Sequence, residues 1–204
     1  MLMPKESHCL VNEMKIHLSE YNPDWTMQFR LHEERLKKAL NDPSIKIEHI
    51  GSTSVEGLSA KPVIDILIGV SSIEELSRVV VALEDSPYIY KKVYNDALPF
   101  RRFFIGVKNE YLQLYPTVIE KEEVNIPHNH RTAHIHTVPV THQWWEDHLL
   151  FRDHLREHPE DRLMYEAVKQ DLSKKDWKTG NEYADSKTEC VLQILNKAKR
   201  NHTK

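Results

Sequence analysis

The sequence predicts an α+β fold: a mixed β-sheet flanked by helices, with a helical C-terminal tail. Three observations lead there. Residues 62–69 hold an almost continuous apolar run, Val63-Ile-Asp-Ile-Leu-Ile68, the mark of a strand covered on both faces. Further strand-like segments share the middle of the chain with one amphipathic helix. From Thr141 onward the spacing is helical. Helix, mixed sheet with a crossover, and helical tail in that order make an α+β domain.

Residues 1–20 have weak periodicity and read as an N-terminal extension or a short edge element; a single domain is expected over 21–200. Asn22 caps the first helix, with Pro23 at its first position and Asp24 near the positive end of its dipole. Trp25, Phe29, Leu36 and Leu40 form its apolar stripe, and Pro43 ends it. A short strand follows up to Ile50, then a tight turn at Gly51, then the 62–69 strand. Ile73, Leu76, Val80 and Leu83 space a helix over 72–84. Tyr88–Tyr90 and Arg101–Ile105 read as strands, Tyr111–Tyr115 as a further one within an irregular polar stretch, and Ala133–Val140 alternates as the last. In the tail, Trp144, His148, Phe151 and Leu155 share one face, with Trp144, Phe151 and Leu155 taken as core. Pro159 opens the next helix and Gly180 precedes a final one reaching about Lys199.

At 204 residues the chain can bury a sizeable core. A net charge of −3 shows no bias towards nucleic acid. No stretch approaches the roughly 20 apolar residues of a membrane helix, and the first residues lack the apolar core of a signal peptide. Cys9 and Cys190 are too few and too far apart for a disulfide framework. A cytoplasmic protein is the expectation. The 13 histidines are unusual for this length.

Most of the functional signal lies in residues 48–66, Glu48-His-Ile-Gly-Ser-Thr-Ser-Val-Glu-Gly-Leu-Ser-Ala-Lys-Pro-Val-Ile-Asp-Ile66. Glycine at 51 lets the backbone approach a ligand closely, and free N–H groups at the following helical turn favour an anion. Asp65 interrupts the apolar strand. A lone acid there is costly unless it is paired, hydrogen-bonded or bound to a cation.

Gly51-Ser52, twelve residues, then Asp65 resembles the opening motif of the nucleotidyltransferase superfamily. The fuller stretch from His49 to Asp65 is similar to the GrpB family, a branch of that superfamily. The likeness continues through Asn22-Pro-Asp-Trp25, Arg101-Arg-Phe-Phe104, His134-Ile-His136 and His148-Leu-Leu-Phe-Arg-Asp153. The resemblance implies a nucleotidyltransferase-like sheet. It implies that Gly51, Ser52, Thr53 and Ser54 surround nucleotide phosphates while Asp65 holds a divalent metal. Active members usually carry a second acid two residues on. Leu67 stands there, and period-two alternation places it beside Asp65 on one face.

Other residues fit this chemistry. Lys61 can reach a phosphate as a point charge. Of Arg101 and Arg102, neighbours on a strand, one can face the site and offset phosphate charge. His134 and His136, two apart on a strand, share a face, and with His49 and Asp65 they suggest a His/Asp metal site. Such a site suits zinc, manganese or iron better than magnesium. His136 or His134 would complete the metal shell or act as a base. His128 and His130 read as loop imidazoles. The leading expectation is metal-dependent transfer of a nucleotidyl group from a nucleoside triphosphate to an unknown acceptor, with magnesium or manganese and zinc as an alternative. A catalytically silent nucleotide- or anion-binding protein, favoured by Leu67, is the second reading; a His-rich metalloprotein is the third.

Overall fold

The structure, a computed structural model, describes residues 14–202. Five strands make the central sheet: β2 (Lys46–Ile50), β3 (Ile64–Val70), β4 (Tyr88–Tyr90), β5 (Arg102–Val107) and β6 (Arg131–Pro139), in the order β2-β3-β6-β5-β4. Only β3 and β6 run parallel, so the chain crosses over between them. Their register sets Asp65 opposite His134 and Leu67 opposite His136. This mixed sheet, flanked by helices and followed by a helical tail, is the α+β architecture expected from the sequence.

Alternation then sorts the side chains onto two faces. Ile64, Ile66, Ile68, Phe104, Ala133 and Ile135 pack beneath helix α1 (Asp24–Leu40) and helix α2 (Glu75–Ala82), against Trp25, Phe29, Leu36, Leu76, Val79 and Leu83. Burial of each large side chain there contributes about 1.5–3 kcal/mol. Asn22 Oδ1 accepts from Asp24 N at 2.9 Å at the start of α1. Helix α2 is shorter than the spacing predicts: Ile73 is 54% exposed and Val79 joins the core stripe. Glu75 Oε2 accepts from Ser71 N at 2.8 Å, which ties the turn before the helix and holds its start back.

The second face is divided. At one end Ile50, Leu67 and Val138 lie under Trp145. Gly69 makes that possible, since a Cβ there would come within 2.6 Å of the indole. At the other end Ile89, Ile105 and Val107 are covered by Ile119 and Ile126 of the long connection between β5 and β6. Tyr111–Tyr115 lies in that connection as a 3-10 helix, Asn109–Leu114, rather than the strand expected. The outer edge of β4 is taken instead by residues 117–119 of the same connection, where Tyr90 N donates to the Thr117 carbonyl and Ile119 N to the Tyr90 carbonyl.

The tail comprises α3 (Gln143–Glu157), α4 (Pro159–Ser173), a short strand β7 (Asp176–Trp177), α5 (Gly180–Asp185) and α6 (Thr188–His202). The expected final helix is thus two, the first capped by Thr179, whose Oγ1 accepts from Glu182 N at 3.1 Å. Leu155, Tyr165, Cys190 and Ile194 close around Val55 and Leu58, which seats the tail on the segment after Gly51. Strand β1 (Met14–Lys15) pairs with β7, and Ser19 bridges Ala60, so residues 14–20 of the expected extension are built into the fold; residues 1–13 lie outside those described. Among the described residues no helix is long and apolar enough to cross a membrane.

Candidate functional site

Gly51 ends β2 with φ 68° and ψ −174°, a conformation open essentially to glycine alone. The turn folds directly onto β3. A Cβ at Gly51 would sit 2.9 Å from Cβ and Cγ of Asp65. Ser52–Ser54 then form one 3-10 turn. Asp65 and the Gly51-Ser52 turn are therefore one packed unit.

Beside this unit opens a cleft of about 60 Å³, lined by Ser52, Lys61, Asp65, His134, Lys169, Tyr183 and Lys187 among others. Asp65 is its one acidic lining residue against three lysines. The lysines come from separate parts of the chain: the loop before β3, helix α4, and the joint between α5 and α6. Lys169 is almost fully buried, its side chain 2% exposed. Its ammonium donates to the Ser59 carbonyl and meets Glu166 Oε2 at 3.0 Å and Ser52 Oγ at 3.5 Å. Burial lowers its pKa to about 8 even with Glu166 beside it. Burial, reinforced by the Lys187 charge, likewise lowers Lys61 to about 8. Lys61 and Lys187 both lie over the Tyr183 ring, 5.0 and 4.5 Å from its centroid.

Of the polar residues expected around phosphate, Ser52 and Lys61 line the cleft. Thr53 is buried and turned towards His49 Nε2 at 3.0 Å. Ser54 Oγ donates back to the Gly51 carbonyl, and its own carbonyl accepts from Arg156. Arg102 donates to the backbone carbonyls of Pro99 and Arg101, so of the two arginines Arg101 is the one that reaches the site face.

The four residues considered as metal ligands do not converge. His49 points to the opposite face of the sheet, its ring stacked on Phe29 with centroids 4.7 Å apart. Its register partner is Ile66, one residue out of phase with Asp65. His134 has both ring nitrogens engaged: Nδ1–H donates to Asp65 Oδ1 at 3.2 Å, and Nε2 accepts from Arg131 Nη1 at 3.1 Å. His136 Nδ1 accepts from Arg101 Nη1 at 3.2 Å. Burial holds both imidazoles below their usual range, His136 furthest. Among the described residues no group of three His, Cys, Asp or Glu side chains is placed to hold a metal ion. The donor set fits a hydrogen-bonded array of cations and neutral imidazoles better than a metal cage.

Sequence reasoning passed over several residues that the fold brings here. His128 lies against His134, ring centroids 6.3 Å apart, and burial together with the charge of Lys61 lowers its pKa to about 3. Trp144 is only half-buried, packed on the edge of the Trp145 cluster. It faces His136 and Arg101, while Trp145 takes the buried place. One helical residue turns a side chain by about 100°, so adjacent tryptophans exchange roles with a small error in phase. Lys169, Lys187 and Tyr183 carry no local motif at all.

With this geometry established, comparison with known proteins places the chain. Residues 15–197 match the family described as GrpB protein. The chain belongs to the GrpB family. A UPF0157 protein of Streptomyces coelicolor is 33% identical over 185 residues, covering 91% of this chain and 85% of that one. The UPF0157 protein YqkA of Bacillus subtilis is 32% identical, covering 94% of this chain and 49% of that longer protein. The glutamate-rich protein GrpB of Alkalihalophilus pseudofirmus is 27% identical, covering 91% and 97%. A crystal structure of the conserved protein GrpB from Enterococcus faecalis superimposes with a TM-score of 0.70 at 29% identity, covering 92% of this chain and all of that one.

Proposed function

We propose that the cleft binds the phosphate chain of a nucleotide. The observation that carries this is the convergence of Lys61, Lys169 and Lys187 on Ser52 and the Gly51 turn. Three ammonium groups against two carboxylates, Asp65 in the lining and Glu166 behind Lys169, leave an excess of positive charge, which a polyphosphate would neutralise. The desolvated lysines are held where an anion strengthens every pairwise attraction. At about 60 Å³ the cleft takes phosphate-sized groups; a whole-ligand pocket measures roughly 300–1,000 Å³. The nucleoside would extend over the open sheet face. A glycine-serine turn after one strand, packed on an acid of the next, supports a nucleotidyltransferase-like fold for this arrangement.

A second reading is metal-dependent nucleotidyl transfer to an acceptor. One observation favours it: the Asp65 side chain is 33% exposed and lines the same cleft as the lysines. Magnesium is commonly held by one or two carboxylates plus substrate phosphates rather than by a protein cage. Asp65 is the residue that would hold magnesium or manganese brought in on the phosphates. The His/Asp zinc site has no such support, given the engaged nitrogens of His134.

Calorimetric titration with inorganic tripolyphosphate and with ATP, in chelator and then in magnesium, tests both readings. Saturable binding of tripolyphosphate in chelator, weakened tenfold or more by Lys61→Gln, is the expected result. Magnesium strengthening ATP binding in the wild type but not in Asp65→Asn would promote the transferase reading. No binding of either compound under either condition would sink the proposal.

A further inference from the structure

Across the Asp65–His134 pair from the lysine cleft lies a second cationic surface, built by different elements. Arg101 stands just before β5. Its guanidinium is largely removed from water and meets His136 Nδ1 at 3.2 Å. Three aromatic faces wall it in: Phe103 at 5.3 Å, Trp144 at 5.8 Å and Tyr94 at 6.0 Å from guanidinium carbon to ring centroid. Among the described residues it has no carboxylate partner. Lys91 and Arg131 share the Tyr94 surroundings, buried and half-buried; among the described residues neither forms a salt bridge, although Glu122 acts on Lys91 from a distance. Their donors are largely used, however: Lys91 Nζ on the Val124 carbonyl at 3.1 Å, Arg131 on the Ile126 carbonyl and His134. Only the Arg101 fork keeps donors to spare while its neighbours add positive potential.

A desolvated cation is costly unless an anion meets it, and arginine presents a planar fork matched to carboxylate and phosphate. Asp65, on the same face of the sheet, is engaged with His134. Cation–π contacts soften the cost without satisfying the N–H groups. Neither Arg101 nor His136 nor Trp144 lines the lysine cleft, so the two cationic surfaces are distinct. The walls are flat rings, and all four, Tyr94, Phe103, His136 and Trp144, are only partly buried.

We propose that Arg101, His136, Phe103 and Trp144 form a second subsite, which takes the carboxylate or phosphate of a planar co-substrate while the lysine cleft holds polyphosphate. This deepens the nucleotide reading by naming the acceptor class as an oxyanion carried on a flat body. Asp65 and His134 then lie between the two ligands.

The test is a pair of titrations followed by calorimetry and tryptophan fluorescence, using benzoate and phenyl phosphate as probes. Saturable binding of one or both, undisturbed by saturating tripolyphosphate, is expected; which one binds tells carboxylate from phosphate. Arg101→Gln should weaken the probe tenfold or more, Arg101→Lys should restore only part of it, and Lys169→Gln should change it less than twofold. Unchanged near-ultraviolet dichroism of each variant keeps the comparison valid. If neither probe saturates on wild type, or Arg101→Gln and Lys169→Gln weaken it equally, the second subsite is overturned. Displacement by ATP but not by tripolyphosphate would also overturn it, since the shelf would then hold the nucleoside. Probe binding without any tripolyphosphate binding would uphold this subsite and sink the lysine-cleft reading alone.

Discussion

The two faces of β3 follow different rules although they alternate along one strand. Ile64, Ile66 and Ile68 point one way and are fully buried under α1 and α2. Asp65, Leu67 and Gly69 point the other way, and only Asp65 meets a cleft. Leu67 is 0% exposed beneath Trp145. The polar strip on this face is thus one residue deep along β3. What widens it is the neighbouring strand, which supplies His134 and His136, and the cations brought in by loops and the tail. The comparison teaches that position 67, where the resemblance leads one to look for a second acid, is a packing position: Leu67 belongs to the apolar contact that seats α3.

The largest expected effect breaks that contact. Leu67→Asp would bury an unpaired carboxylate between Ile50, Val138 and Trp145, and should destabilise the protein by about 4 kcal/mol or more in urea denaturation. Asp65→Asn keeps an acceptor for His134 Nδ1 at a partly exposed position and should cost no more than about 1 kcal/mol. Two residues apart, the pair contrasts a structural position with a ligand position. A near-neutral Leu67→Asp would show that water and ions reach this end of the face, and would reopen a two-carboxylate site.

Much of this was legible in advance, for identifiable reasons. The apolar run with one acid fixed β3, and period two placed Leu67 beside Asp65. His134 was expected on a strand near Asp65, and the register confirms the juxtaposition. The lysine cleft was half legible: Lys61 belongs to the motif, but Lys169 and Lys187 look like ordinary helix-surface lysines until tertiary packing folds the tail onto residues 52–60. His128 was read as a loop imidazole because sequence shows no reason for a loop residue to pack against His134. His49 was grouped with the site by its nearness to Gly51, although adjacent strand residues face opposite ways.

A smaller effect sharpens the same comparison at the turn. Gly51→Ala forces a side chain into a glycine-only conformation and against Asp65, and should cost about 3 kcal/mol while abolishing tripolyphosphate binding. Gly57 shares a positive φ of 78° but has nothing within 4 Å of an added Cβ. Gly57→Ala should cost about 1 kcal/mol and leave binding intact. Equal costs in thermal melts would mean that backbone conformation alone, rather than the Gly51–Asp65 contact, sets the requirement.

The smallest effect is a titration. Lys61 and Lys169 titrate near pH 8 in the folded chain and at the ordinary lysine value of 10.5 when unfolded. Between those values the unfolded chain binds more protons, so the stability of the free protein gains from these groups as pH rises through the window. Polyphosphate binding runs the other way. It needs the ammonium form, so affinity should fall as pH passes 8, well before a solvated lysine would lose its charge. Melting curves with and without tripolyphosphate should therefore lie apart at pH 7 and converge towards pH 10.5. Lys169→Gln should narrow the gap at pH 7 and flatten its pH dependence. A gap that stays constant to pH 10 would mean that these lysines keep their protons, and that the anion is held by other groups on the open face.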